Sequence, residues 1–404
     1  MSKNQLKLLD ESGLAGLKIT EVNGRELVCE GSKVIDFCGT NYLGFDFQPE
    51  LLQRGEQYGR RWGTMCGWSR LEADPAIYKD VEARICKLTG APRALLSHTI
   101  TITNFSVLPV IAQKGLILVD RKLHTVVWEA CRLARDHGAG VEKFEHQDLN
   151  HLETLLKKHK NSHPRVIAVD GVYSISTELA PIRELQMLCK KYDAWLYVDD
   201  AHGFGVLGSD PSASNAHGKG GGGVVSHFNG NYDRTFYVSS FGKAFCTHSG
   251  FITLPGEFTD NLPAKALSHI YSAPVSPHTL GTVDAALDLN ERIGDGERAK
   301  IRQLVQYFCD GVRRLGYEIE NHRLHPVIFV PIGELSELIV AAKALLAGGV
   351  FTGLRAYPVV PENECGVRFA ITSLHTKAHL DQALKVLGQL DVSKARRKCS
   401  NVAA

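Results

Sequence analysis

Two short apolar runs, each ending in reactive side chains, constrain this chain more than any other feature. The first, Trp195–Gly208 (WLYVDDAHGFGVLG), is a strand-like run that stops at Asp199 and Asp200 and continues through His202 into glycine-rich turns. The second, Thr235–Ala244 (TFYVSSFGKA), repeats the plan, with Lys243 in a turn flanked by glycine and serine. In open α/β sheets, ligands sit outside the carboxyl ends of the strands. An acid, an imidazole and an amine are therefore expected to converge on one edge of a sheet.

That set of groups suits a cofactor with a ring nitrogen, a ring hydroxyl and an aldehyde, which describes pyridoxal 5'-phosphate. The rest of the chain supplies the scaffold. Arg93–Leu96, Leu116–Val119, Arg165–Val169, Leu196–Val198 and Phe236–Val238 read as buried strands separated by helix-length segments. This alternation predicts an α/β fold with a mostly parallel central sheet. A helix is expected from Asp74 to Leu88, with Asp74 as its cap, Pro75 at its first position and Gly90 as its stop. A hairpin is expected at Asn23–Gly24. Ser209–Gly230, with four consecutive glycines, reads as a long surface loop. After about residue 290 the pattern becomes α+β. The expected layout is an N-terminal arm (1–50), a large domain (51–290), a small domain (291–393) and a flexible tail (394–404) holding the basic run Lys394–Lys398.

Bulk properties exclude several classes. At 404 residues the chain is long enough for one large domain and a smaller one. The net charge of +2 offers no footprint for nucleic acid and no basic membrane patch. No apolar run reaches membrane-spanning length and the start has no signal-peptide character, so a cytoplasmic protein is expected. Ten cysteines without a C-x-x-C pair suggest reduced thiols, with neither a metal site nor a disulfide framework. The phosphate loop of nucleotide hydrolases is lacking too.

Taken together, the motifs resemble those of the α-oxoamine synthases, which are fold-type I pyridoxal-phosphate enzymes. The resemblance runs from about Asp36 to Leu390 and is sharpest over Val198–Gly208, with support from Asn41–Gly44 (NYLG), His146–Leu152 (HQDLNHL) and Asp170–Ser176 (DGVYSIS). It implies that Asp199 pairs with the pyridine nitrogen, His202 donates to the ring oxygen, and Lys243 forms the Schiff base and later moves protons. It also implies that His124 stacks on the ring, Ser174 contacts the ring oxygen, and Ser240 binds the phosphate along with Thr99, Ile100 and Thr101. Arg368 would grip the amino-acid carboxylate as a bidentate partner. Asn41 and Ser69 would complete the substrate site. Asp200 reads as a structural neighbour. Ordinary alternatives stand beside these roles: a helix-capping or surface histidine at His202, a core or surface histidine at His124, amide-capping hydroxyls at Ser174 and Ser240, and a surface ion pair at Arg368.

Three stretches depart from the family pattern. Its G-T-G-x-G-G-[ST]-R stretch is Gly63–Arg70 (GTMCGWSR), with Met65 and Trp68 at glycine positions. Its S-G-[YF]-A-A-N stretch is Thr99–Asn104 (TITITN). A polar residue that some members place before their Y-P or P-P pair is Ala356. The separation of Asp199 from Lys243 is also long, and the glycine-rich loop absorbs the excess at little thermodynamic cost. The implied reaction is a decarboxylating Claisen condensation of an amino acid with an acyl thioester of coenzyme A or of a carrier protein. A homodimer with an interfacial active site is implied as well. Aminotransferase or aldolase-type lyase chemistry, and a non-catalytic partner subunit, are the alternatives. Lys243 argues against the last.

Overall fold

The computed structural model describes residues 10–258, 262, 263, 265–357 and 359–390. The expected flexible tail, 394–404, lies outside the described residues. The strands in chain order are β1 (Ile19–Asn23), β2 (Glu26–Cys29), β3 (Ser32–Phe37), β4 (Arg93–Ser97), β5 (Leu116–Asp120), β6 (Gly140–Phe144) and β7 (Arg165–Asp170). They continue with β8 (Trp195–Asp199), β9 (Thr235–Ser240), β10 (Gly250–Leu254), β11 (Val327–Gly333), β12 (Val350–Arg355) and β13 (Cys365–Ala370). Among the described residues the chain divides into two compact units, one of residues 45–174 and 178–296, the other of 10–44, 175–177 and 297–390.

The larger unit holds a seven-stranded sheet in the order β4-β10-β9-β8-β7-β5-β6. Only β10 runs antiparallel to its neighbours. Every residue of β5, β7, β8, β9 and β10 is buried. Burial on both faces explains why these strands read as continuous apolar runs rather than alternating ones. Leu95, Val119, Ala168, Tyr197, Phe236 and Ile252 share one core cluster with Val107, Leu108 and Ile111 of the helix Ile100–Ala112 and with Val127, Ala130 and Cys131 of the helix Thr125–Asp136. Each large apolar side chain so covered contributes about 1.5–3 kcal/mol. The sequence reading missed β6 and β10. GVEKF in β6 is an edge strand broken by charge, and β10 lies close after the lysine turn without a crossover helix.

The smaller unit has a six-stranded sheet, β1-β2-β3-β12-β13-β11. The hairpin falls where expected, with Asn23 opposite Glu26 and Gly24 at φ +60°. The N-terminal segment is no separate arm, because β3 pairs in parallel with β12 and so joins the sheet of the C-terminal segment. The compact units change over at 44/45 and 296/297, and residues 175–177 group with the smaller one.

Two local expectations are corrected. The helix after Pro75 spans Ala76–Thr89 with Pro75 itself at the cap position, and Asp74 does not cap it. The Asp74 carboxylate is taken by Arg70, whose Nε and Nη2 donate to it at 2.7 and 3.2 Å. Gly90 does end this helix, in the left-handed conformation at φ +82°. The glycine run is not a loose surface loop either. Residues 211–214 are exposed, but Gly221, Gly222 and Gly223 are buried. A Cβ on Gly223 would fall 1.9 Å from the Tyr237 hydroxyl, and one on Gly222 would fall 2.6 Å from the Leu88 carbonyl. The glycines are there for close packing.

Candidate active site

In the larger unit, β7, β8 and β9 are parallel and in register, with Asp170 opposite Asp199 and Asp199 opposite Val238. Three strand ends therefore deliver Asp170, Asp199 and Ser240 to one edge, and Lys243 follows three residues later. Asp170 and Asp199 are both buried. Burial, and then the neighbouring Asp199, push the Asp170 carboxyl well above the usual carboxylate range, while the His124 amide and the Lys243 charge pull it back. The His124 backbone N–H donates to Asp170 Oδ1 at 3.2 Å. Asp170 thus sits among Asp199, Lys243 and the start of the helix Thr125–Asp136. Sequence reasoning quoted Asp170 only as part of a motif. Its charge environment depends on strand register, which the sequence does not display.

Asp199 is held by a residue to which the sequence reading gave no role. Asn104 Nδ2 donates to Asp199 Oδ2 at 2.9 Å, and the Tyr197 hydroxyl donates to Asn104 Oδ1 at 2.5 Å. The Ala201 amide donates to Asp199 Oδ1 at 3.3 Å. Asn104 and Tyr197 are fully buried. The signal was available, since Asn104 is the one position of Thr99–Asn104 that keeps the family's residue.

Thr99 caps the helix Ile100–Ala112, its Oγ1 accepting the Ile102 amide at 3.2 Å and its carbonyl the Thr103 amide at 3.0 Å. The amides of Ile100 and Thr101 form the head of this helix, where the positive end of the dipole favours an anion. Gly250 of β10 lets the helix start come close, because a Cβ there would fall 2.5 Å from the Ile100 nitrogen. The altered stretch thus preserves a helix N-terminus without the family's glycine.

Lys243 is half-buried in a fixed turn. Ser240 Oγ accepts the Gly242 amide at 2.9 Å and donates to the Ser249 carbonyl at 3.1 Å, so this hydroxyl is engaged in shaping the turn. Phe241, between Ser240 and Lys243, packs against Phe204, Phe245 and Phe251. His202 is buried in the turn after β8. Gly205, at φ +80°, brings the His202 turn against the lysine turn; a Cβ there would fall 2.5 Å from the Ala244 Cβ. His124 is exposed and caps its helix by accepting the Val126 amide on Nδ1 at 3.2 Å, a role that the sequence alone does not suggest. Ser174 lies half-buried beyond the end of β7.

Asp200 is structural, as expected. Its Oδ2 accepts the Val224 amide at 2.7 Å and the Tyr237 hydroxyl at 2.9 Å, which docks the buried glycine run onto β8 and β9. Burial pushes its carboxyl up to about 7. Ser69 makes local turn bonds, accepting the Leu71 amide at 3.3 Å. Beside it, the buried Arg70 holds Glu82 at 2.5 and 3.0 Å as well as Asp74. Met65 and Trp68 project outward, 60% and 54% exposed. Asn41 and Arg368 belong to the smaller unit. Arg368 is half-buried on β13, and its Nε is buried without a hydrogen-bond partner. Among the described residues, no cluster of His, Cys, Asp or Glu is arranged to hold a metal ion.

The donor set of the larger unit fits pyridoxal phosphate. A buried, oriented carboxylate suits a protonated ring nitrogen, a helix head suits a phosphate, and a fixed lysine suits an aldehyde.

The family model for aminotransferase class I and II matches residues 33–387. Curated relatives include 8-amino-7-oxononanoate synthase of Thermosipho melanesiensis, 30% identical over 90% of this chain and 89% of that protein. The synthase of the same name from Marinobacter nauticus is 31% identical over the same shares. Among solved structures, a serine palmitoyltransferase with pyridoxal phosphate superposes with a TM-score of 0.86 at 22% identity, covering 95% of both chains. The 8-amino-7-oxononanoate synthase of Francisella tularensis gives 0.73 at 21% identity, covering 88% of this chain and 97% of that one. At such identities the structures speak for the fold alone, which is the fold-type I architecture expected from the sequence. With a family match over most of its length and relatives at 30% identity, the chain belongs to the aminotransferase class I and II family and, within it, to the α-oxoamine synthases.

Proposed function

We propose that the protein is a pyridoxal-phosphate-dependent α-oxoamine synthase that condenses an α-amino acid with an acyl thioester, releasing CO2 and free thiol and leaving an α-amino ketone. The single observation that carries this reading is the alignment of Asp199, His202 and Lys243 around the ends of adjacent parallel strands, within a chain of this family. When bound, the cofactor supplies an electron sink for the α-carbon of the amino acid.

The protein's own groups do the rest. Asp199, oriented by Asn104, holds a proton on the ring nitrogen. Lys243 would anchor the cofactor, and its Nζ would carry the α-proton of the amino acid. His202 and Ser174 orient the ring oxygen, and His124 covers a ring face. The head of the helix at Thr99, Ile100 and Thr101 would receive the phosphate, joined by Ser240 once its hydroxyl turns from the Ser249 carbonyl. Arg368 grips the substrate carboxylate, with Asn41 and Ser69 as further substrate contacts. The acyl group arrives on coenzyme A or a carrier protein.

A homodimer is part of the proposal, supported by the exposed apolar side chains of Met65, Trp68, Leu71, Leu267 and Tyr271 in the larger unit. A cytoplasmic setting suits the nine described cysteines, all free thiols. No helix among the described residues is long and apolar enough to cross a membrane.

The test is a paired assay on purified protein loaded with pyridoxal phosphate. Cofactor absorbance should be present in the wild type and lost in Lys243→Ala, and thiol release from acyl-CoA should require an amino acid. A colourless protein that takes up no cofactor would support a non-catalytic partner subunit instead. Amino-group transfer without thiol release would point to an aminotransferase.

A further inference from the structure

Within the smaller unit, β12 and β13 pair antiparallel with Gly353 opposite Arg368. Side chains two apart on a strand share a face, so Arg355 lies on the same face as Arg368, one diagonal step away. Gly353 makes room between them: a Cβ there would fall 3.3 and 3.5 Å from Nη1 and Nη2 of Arg355. The Arg355 guanidinium therefore folds back over the glycine toward Arg368. Among the described residues its hydrogen bond is from Nη1 to the carbonyl of its neighbour Leu354, at 2.7 Å.

Two like charges have been brought together here without a counter-ion. Among the described residues, no carboxylate forms an ion pair with Arg355 or Arg368, and Arg368 Nε is buried and unbonded. Burial and the Arg368 charge pull the Arg355 guanidinium down to about 10. Cys38 and Tyr42, which feel both guanidinium charges, are pushed up by burial and remain neutral at pH 7. A half-buried arginine pair left uncompensated destabilises the unit unless an anion completes it. One carboxylate would neutralise one charge; a dicarboxylate neutralises both.

We propose that Arg355 and Arg368 form a two-guanidinium site for a dicarboxylate, so that the amino-acid substrate carries a second carboxylate, with Arg368 holding the α-carboxylate and Arg355 the other. The assignment of the ligand as the amino-acid substrate rests on the proposed function. The two-charge site itself rests only on the geometry of β12 and β13. Arg355 acts here as a specificity-determining residue. It stands immediately before Ala356, the position where some family members carry a polar residue.

The experiment uses the cofactor-loaded protein and three readouts, one of them thiol release from succinyl-CoA against acetyl-CoA. Absorbance titrations compare L-aspartate and L-glutamate with L-alanine and L-serine, and thermal shifts compare succinate and malonate with acetate at equal ionic strength. At least one dicarboxylic amino acid should saturate at a concentration about tenfold or more below that of alanine, the scale of one charge-assisted hydrogen bond. Succinate or malonate should raise the melting temperature where acetate does not. In Arg355→Met the preference ratio should fall to near one, while Arg355→Lys should keep part of it. Circular dichroism checks that each variant is folded.

Equal saturation by alanine and the acidic amino acids, with no stabilisation by succinate or malonate, overturns the proposal and leaves the condensation reading intact. Absorbance that responds to no amino acid, with succinate still stabilising the wild type but not Arg355→Met, overturns the substrate assignment and leaves the dicarboxylate site standing. Selectivity for succinyl-CoA over acetyl-CoA that depends on Arg355, without selectivity among amino acids, moves the second carboxylate to the acyl donor and overturns its placement on the amino acid.

Discussion

Asn104 and Asp199 are joined by a 2.9 Å hydrogen bond from the Asn104 amide to the Asp199 carboxylate, and Asn104 is itself held by the Tyr197 hydroxyl. The strand-end acid is therefore oriented by the helix whose head is proposed to take the phosphate. Asn104→Ala should cost about 1–3 kcal/mol, because it leaves the buried Tyr197 hydroxyl and one Asp199 oxygen without partners. Asn104→Asp should cost more, since it sets a second carboxylate against Asp199. Urea denaturation of the three proteins gives the order.

Lys243 can be tested directly. Lys243→Ala should retain the fold, since Ser240, Ser249 and the Phe241 cluster hold the lysine turn. Turnover should fall at least about 10³-fold, the loss expected for a residue that both anchors the cofactor and moves a proton. Matched circular dichroism with lost turnover checks this.

Asp200 should leave a signature in the pH dependence of stability. Its carboxyl is pushed up to about 7 in the folded protein, against about 4 in an unfolded chain. The folded state thus holds its proton more tightly, so the stabilisation is fully present below about pH 4 and is lost as pH rises through 7. Asp200→Asn keeps a polar group for Val224 and Tyr237 and removes the titration. The stability difference between wild type and Asp200→Asn should shift against the wild type from pH 4 to pH 7. Urea melts at four pH values across that window measure it.

Arg70 stands in one of the stretches where the family pattern is altered, yet its buried guanidinium is committed to Glu82 and Asp74 and lies 4.7 Å over the Tyr78 ring. Arg70→Ala should destabilise by about 3–5 kcal/mol, because Glu82 is left as a buried charge beside its one remaining donor, the Leu96 amide. Chemical denaturation checks the size. Met65→Gly and Trp68→Gly remove apolar surface from the face proposed for the homodimer, so they should instead weaken dimerisation, read by sedimentation of each variant against the wild type.

The parts legible in the sequence were those with a local physical signature. The buried parallel strands announced themselves as continuous apolar runs, and the left-handed Gly90 and the Asn23–Gly24 turn as residues chosen for backbone geometry. Asp199, His202 and Lys243 were legible because chemistry at strand ends has few explanations. Contacts between distant segments left no such mark. The Asp74 carboxylate reads as a cap until Arg70 is seen to occupy it. The glycine run reads as a loop until Asp200 and Tyr237 are seen to pack on it. β3 reads as part of an arm until β12 lies beside it. Arg355 became noticeable only when strand pairing set it on the face of Arg368.

The most direct test of the central claim is the stoichiometry of one reaction. Cofactor-loaded protein is incubated with a carboxyl-¹³C amino acid and an acyl-CoA, and labelled CO2, free thiol and ketone are measured together. The proposed function predicts all three in equal amounts, none of them formed by Lys243→Ala. Thiol released without labelled CO2, or an amino acid converted with the thioester left intact, would contradict it.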